Sequence, residues 1–453
     1  MAGFSPWSAS GLLAGAGQRV TVAAGALGCL WLAVLWASLG VAPPATQPGA
    51  APAETAAPPP PVPLHAIAVA AAPAPGGGQF DRFGIEMQPA PAPVNAGGDV
   101  AFFARLMRSA AGEALFLSHD GKTVVVAAGG GPAPGGGTLS GFTEHPAPAL
   151  NKAGTVAFAA TIDDGRSTDA VLTWTRGKTA VVAQSGAKAP DMPGGVFFDF
   201  SRPVIDDAGD VAFLTTMRHG HETQDAIYIN AKGRLTKIAA AGDAAPDGGV
   251  FSALAAPALN NKGVVAFAAL VEQGQRPAGL FVATEGALRR AIAAGDAAPE
   301  GGIYSRLSET VGIDDAGHVA FGAFLAQTTS RAGIFITGDN EVRRVAALGT
   351  AAPGGGTFVS FGDAPSLAPD GRLAFIAAIE GGNGSSGAFT YGPDGLARIA
   401  TVGDGIADAR RIAYFPLNAA IAAGAGRRVT FHAGLKSGDD NSDAILLFAP
   451  ATR

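Results

Sequence analysis

Short apolar runs bounded by turn residues recur along most of this chain, and one unit shows the plan. Pro257-Ala258-Leu259 ends a short strand and Asn260-Asn261-Lys262-Gly263 is a turn. Asparagine bonds its own backbone and tolerates left-handed geometry, and glycine takes positive φ without steric cost. Val264 to Leu270 is apolar on both faces, which reads as a second, doubly buried strand. The polar loop Glu272-Gln273-Gly274-Gln275-Arg276 leads to a third strand at Gly279 to Val282. Thr284-Glu285-Gly286 then turns the chain into a fourth, Arg289 to Ala294, and residues 295–302 cross to the next unit.

The same unit returns seven times, marked by Phe102, Phe158, Phe213, Phe267, Phe321, Phe375 and Phe431. Successive copies lie 56, 55, 54, 54, 54 and 56 residues apart. A fixed period of this kind defines a repeat architecture, and four short antiparallel strands per unit are the grammar of a propeller blade. A parallel β-helix would use shorter coils and would not need an antiparallel turn at each Asn-x-x-Gly. The predicted fold is therefore all-β, a seven-bladed β-propeller of four-stranded antiparallel blades spanning residues 64–450.

The ends of the repeat region complete one another. Ala66-Ile67-Ala68-Val69 and the following Pro73 to Gly78 match a fourth strand and its crossing loop, without the first three strands. Ala444 to Phe448 matches a third strand without its fourth. The pattern predicts a ring closed by the N-terminal strand, which removes the exposed edges of an open array.

Asn151-Lys152-Ala153-Gly154-Thr155-Val156-Ala157-Phe158 spells the signature of the NxxGxxAF tandem-repeat proteins, and the chain resembles that family of bacterial envelope proteins. Asn95 to Phe102 and Asn260 to Phe267 match it too, while Asp206 to Phe213 and Asp314 to Phe321 carry aspartate in place of asparagine. Ala368 to Phe375 relies on Pro369-Asp370-Gly371 for its turn, and before Phe431 the spacing slips by one and Thr430 replaces the alanine. The resemblance covers roughly residues 64–448. It implies an exported repeat protein and brings no established activity or catalytic residues.

The N-terminus reads as an address. Residues 1–18 form a short cytoplasmic stretch, and 19–42 a transmembrane anchor or signal helix. Val20 to Ala42 is uncharged and long enough to cross a bilayer, and Arg19 favours an N-terminus inside the cytoplasm. A cleaved signal peptide, with small residues at Ser38-Leu39-Gly40, is the alternative and would give a secreted protein. Residues 43–63 are an Ala/Pro-rich stalk of extended polyproline character. These features predict a single-pass protein of the bacterial cytoplasmic membrane with its propeller outside the cytoplasm.

Composition narrows the chemistry. The net charge is −6, with no Lys/Arg block, so the basic footprint of a nucleic-acid partner is missing. The single cysteine, Cys29, falls in the apolar segment and excludes an intrachain disulfide or a thiol nucleophile in the ring. There is no Gly-x-Ser-x-Gly elbow. Gly121-Lys122-Thr123 and Gly177-Lys178-Thr179 lack the upstream glycine of a phosphate loop, and Ser118 to Thr123 reads as a hairpin turn. No catalytic residue, metal or cofactor is assigned. Of 33 aromatic residues 25 are phenylalanine, at positions expected in the core, and Trp174 is expected to pack.

Recognition is expected where the loops depart from the repeat. Crossing loops and second-to-third-strand loops emerge on one face. That face carries the candidate ligand-binding residues Arg218, His219, His221, Glu222, Asp225, Asp243, Arg276, Asp296 and Arg331. The Arg218 to Asp225 cluster has two imidazoles and two carboxylates but fits no standard zinc spacing. Asp243, Asp296 and Asp404 are expected to cap their own crossing loops, and Asp169, Asp225 and Asp443 recur before third strands in the same way. The leading expectation is a non-enzymatic propeller binding a protein or envelope glycan. The alternatives are a hydrolase or lyase acting on polysaccharide or a small ester at the channel mouth, and a structural spacer.

Overall fold

The computed structural model describes residues 64–450, apart from 86–87, 143–146, 300, 339–340, 363–364, 417, 419 and 439. The expected cytoplasmic stretch, apolar helix and stalk at 1–63 lie outside the described residues. Among the described residues no helix is long and apolar enough to cross a membrane.

Seven antiparallel sheets form the blades of a β-propeller. In blade 4 the strands are Val250–Leu254, Val265–Glu272, Ala278–Thr284 and Ala287–Ala293, hydrogen-bonded in that order. Blade 7 is made from both ends of the repeat region. Arg411–Tyr414, Arg428–Ser437 and Asp440–Phe448 supply three strands, and Leu64–Val69 pairs antiparallel with the last of them, Leu64 opposite Phe448. The predicted closure is the observed one.

The first strand of each blade differs from the expectation. The pattern near Leu259 marks only its second half. Val250–Leu254 pairs with one end of the second strand, and Ala258–Leu259 pairs with the other. Between them the chain leaves the ladder, holding on through the Ala255 amide, which donates to the Ala268 carbonyl at 2.9 Å. Proline falls in this break in most blades, as Pro148, Pro203, Pro257 and Pro365. Having no N–H, it leaves no donor unpaired where the ladder is interrupted.

The recurring phenylalanine is one corner of an aromatic triad. In blade 4 Phe267 lies opposite Phe281 and stacks on it at 5.7 Å, while Phe251 of the first strand meets Phe281 edge-on at 4.9 Å. Blades 1, 5 and 6 repeat this with Phe80/Phe102/Phe116, Tyr304/Phe321/Phe335 and Phe358/Phe375/Phe389. Blade 3 uses Phe197/Phe213/Tyr228. All seven signature phenylalanines are buried, and Trp174 packs against the core between blades 1 and 2. Such ring pairs add about 0.5–1.5 kcal/mol each beyond their buried area.

The Asn-x-x-Gly turns do two jobs. The Asn151 carboxamide oxygen accepts from the amides of Ala153 and Thr155, closing its own turn. Its nitrogen then donates to the Asp206 carbonyl of the next blade at 3.1 Å. Asn95 reaches Asn151 at 3.1 Å and Asn260 reaches Asp314 at 2.8 Å in the same way. Aspartate closes the turn equally well, but it cannot donate onward. Where Asp206 and Asp314 occupy the site, only the link through the following residue remains, one the Asn turns also make when the Lys152 amide donates to Asp207 and the Asn261 amide to Asp315. The Asp207 amide donates to the Asn261 side chain at 2.9 Å, and the Asp315 amide to the Pro369 carbonyl at 3.0 Å. Blade 6 joins blade 7 through the Gly426 amide and Asp370 at 3.0 Å. At the closing seam the Thr430 hydroxyl donates to the Ala92 carbonyl.

These contacts generate two predictions. Asn151→Asp keeps the turn but removes the inter-blade donor, and should cost about 1–3 kcal/mol in chemical denaturation. Asp206→Asn should act in the opposite sense. Burial pushes the Asp206 carboxyl up, with Asp210 adding repulsion, so the folded state holds its proton more tightly than the unfolded chain. The ionised carboxylate therefore weakens the fold above that range, and Asn should raise stability most at neutral pH, the gain fading as pH falls.

A third concerns His432, 5% exposed at the seam between blades 7 and 1, with Nε2 unpaired and the ring 6.3 Å from that of Phe83. Burial lowers its pKa to about 4. The unfolded chain thus binds more protons between about pH 6.5 and 4, and stability should fall by up to about 3 kcal/mol as pH drops through that window. His432→Leu, matching Leu214 in blade 3, should flatten this acid limb in pH-resolved melting curves.

Candidate functional site: the loop face and the axial channel

Strand register separates the two faces of the ring. Val250, just after a crossing loop, lies opposite Glu272 at the end of the second strand. Crossing loops and second-to-third-strand loops therefore share one face. They are pressed together: Gly249 has φ +81°, and a Cβ there would fall 2.5 Å from the Glu272 carbonyl oxygen. That close approach accounts for the glycine runs ending the crossing loops.

The crossing-loop aspartates cap their own turns, as expected. Asp243 accepts from the Ala240 amide at 2.8 Å and pairs with Lys237 at 3.0 Å. Asp296 accepts from the Ala293 amide at 2.8 Å and pairs with Arg276 at 3.5 Å. Asp404 repeats the arrangement with Thr401 at 2.7 Å and Arg398 at 3.4 Å. Asp243, Arg276 and Asp296 are thus tied into local turns.

The remaining candidates spread over two blades. Arg218, His219, His221 and Glu222 are exposed at the tip of the blade 3 hairpin, with His219 opposite Glu222. The Arg218 guanidinium lies 5.0 Å above the ring of Phe198, an exposed aromatic on the first strand. Arg331 is exposed on blade 5, where it lines a cleft of about 480 Å³ with Ser305, Arg306, Gln327 and Thr328. Among the described residues no group of three or more His, Cys, Asp or Glu side chains is gathered around a point where a metal ion could sit.

Just inside this face, each blade carries a transverse row of three residues in register. In blade 3 the row is Asp199, Thr216 and Asp225. The Thr216 hydroxyl donates to Asp225 at 2.9 Å. Burial pushes the Asp225 carboxyl up, Asp199 adds to the rise, and the Thr216 bond opposes it. The corresponding row in blade 7 pairs the Tyr414 hydroxyl with Asp443 at 2.5 Å. In blade 1 the third-strand residue is Glu113, which accepts from the Phe142 amide of blade 2 at 2.6 Å. The recurrent acids before the third strands are therefore anchored by neighbouring donors.

The inner strands enclose a channel of about 580 Å³ to which all seven blades contribute. Its wall is largely proline, alanine and branched aliphatic residues, and its charged members among the described residues are Arg202, Arg306 and Glu309. Arg306 also lines the blade 5 cleft. Burial pushes the Glu309 carboxyl up and Arg306 partly offsets it. These three residues are absent from the sequence-derived candidates. The signal that would have exposed them is alignment of the repeats. Arg202 stands where blades 1, 2, 4 and 5 have Pro91, Ala147, Ala256 and Thr310.

The fold and its channel define a seven-bladed β-propeller with one self-bonded face and one loop-bearing face. Residues 61–164 and 94–450 match the DUF7453 family, a family of unknown function, and the chain belongs to it. No curated protein matches the sequence. Among solved structures, an oligogalacturonate lyase from Vibrio parahaemolyticus is similar at 12% identity and a TM-score of 0.45, over 81% of this chain and 90% of that one. A puromycin-hydrolyzing peptidase from Mycobacterium tuberculosis gives 15% and 0.46 over 83% of this chain and 55% of that one. A sialidase from Trypanosoma rangeli gives 10% and 0.37 over 84% and 57%. Likeness of this degree does not reach the chemistry of any site.

The geometry of the blade 3 row generates a prediction. Asp225→Asn keeps an acceptor for Thr216 and removes a carboxylate whose charged form burial disfavours. Its melting temperature should equal or exceed that of the parent at pH 7, and the difference should vanish as pH falls through the range where Asp225 protonates.

Proposed function

We propose that this protein is a non-enzymatic binding propeller that engages a protein or cell-envelope glycan through its loop face. The observation that carries this reading is the contrast between the faces. On the turn face the Asn and Asp side chains are consumed by their own turns and by the neighbouring blade. The loop face instead presents the Arg218–Phe198 pair and Arg331. Arginine and aromatic side chains on a rigid scaffold are the residues that most often anchor recognition. The turn motif supports membership of the NxxGxxAF repeat proteins. The apolar segment 19–42 supports attachment to, or export across, the bacterial cytoplasmic membrane.

A photo-crosslinking residue placed in turn at Arg218, Arg331, Lys152 and Lys262 tests the binding reading in intact cells. The expected outcome is one discrete adduct from the two loop-face positions and none from the turn-face lysines. Adducts from the turn face alone, or none from either, would reject it.

A hydrolytic reading is favoured by one observation, the raised Asp225 carboxyl beside Asp199. It requires Asp225→Asn to abolish turnover of an envelope polysaccharide or small ester, whereas the binding reading expects no turnover in the parent protein.

A further inference from the structure

Arg202 breaks the rule that governs the channel wall. The first strand leaves its ladder at this height, and the aligned residues of blades 1, 2 and 4 are proline or alanine. Such residues suit a lumen walled by unpaired backbone because they bring no charge and, in proline, no N–H. Arg202 instead brings five N–H donors and a permanent positive charge. It has no hydrogen-bond or ion-pair partner among the described residues. The one carboxyl among the described lining residues, Glu309, interacts with Arg306. Arg202 is half-buried, and a charge partly withdrawn from water without a partner adds nothing to the fold, so a purely structural account predicts alanine here, as in the neighbouring blades.

We propose that the axial channel binds a small organic monocarboxylate, with its carboxylate held by Arg202 and its apolar body against Pro203, Val204, Pro257 and Ile313. The planar fork of a guanidinium matches a carboxylate in two parallel hydrogen bonds. The wall supplies the apolar contact that usually accompanies a few fixed polar groups in a small-molecule site. The partnerless guanidinium of Arg202 offers one planar fork, which one carboxylate fills. The volume of about 580 Å³ leaves room for a body of several carbons.

Burial also lowers the pKa of the Arg202 guanidinium. The group stays cationic at neutral pH, and an anion within reach would relieve that loss of hydration.

The test is calorimetric titration of the full-length protein with benzoate, inorganic phosphate and neutral benzamide, beside the variants Arg202→Met, Arg202→Lys and the turn-face control Lys262→Gln. The expected result is saturable benzoate binding that is weakened at least tenfold by Arg202→Met, less by Arg202→Lys and within twofold by Lys262→Gln. Phosphate and benzamide should each bind at least tenfold more weakly than benzoate. Ligand-free Arg202→Met should melt at or above the parent temperature, since it loses an unpartnered charge; a guanidinium with a structural role would make it melt lower. Equal benzoate binding by parent and Arg202→Met, an absence of saturable binding by the parent, or tighter binding of phosphate would each overturn the proposal.

Discussion

The ring depends on a side-chain amide that can both accept and donate. In each complete Asn-x-x-Gly turn the oxygen closes the turn on its own blade, and the nitrogen reaches the carbonyl of the next. The residue is buried, 4% exposed at Asn151 and 3% at Asn260, so an unmatched polar atom there would carry its full desolvation cost. One small residue therefore fixes both local chain reversal and the spacing of neighbouring sheets. Aspartate retains the first function and loses the second. What remains there is the link one residue later, at Asp207 and Asp315, which the Asn turns make in addition.

Packing and polarity divide the work within each blade. The aromatic triads fill the volume between sheets, while the turns hold their inner ends at a fixed separation. The broken first strand follows from the same economy of space. Seven strands converging on an axis have little room, and the break lets the chain bend into the lumen while proline removes the donors that would be stranded there. The result is a wall that is apolar by default, against which Arg202, Arg306 and Glu309 stand out.

Much of this was legible in the residues. The phenylalanine spacing led to seven blades, and Ala66 to Val69 matched against Ala444 to Phe448 led to the closure. Asp243, Asp296 and Asp404 behave as turn caps, because an aspartate in a glycine-rich loop meets its own backbone before anything distant. The loop-side half of the first strand was not legible, since Val250–Leu254 carries no strong alternation and lies next to a glycine-rich loop. Arg202 and Glu309 escaped for another reason. In sequence they sit among Ser-Arg-Pro and Ser-Glu-Thr, which read as ordinary polar loop, and only the ring brings them to a common axis. The loop-face histidines showed the reverse. His219 and His221 looked like a cluster in sequence, but the hairpin holds them at an exposed tip.

The shared seventh blade also bears on how the molecule is made. Residues 64–69 are synthesised before any other part of the ring, yet their hydrogen-bonding partners at 444–448 come nearly four hundred residues later. Until then one edge of an early strand and one edge of the nascent last blade stay open, and the ring cannot close on an incomplete chain. Closure is a contact of very long sequence separation, the kind that forms late and slowly. For a chain threaded through a membrane, the first strand would reach the far side and wait there. Sealing the circle would then report that all seven blades had arrived.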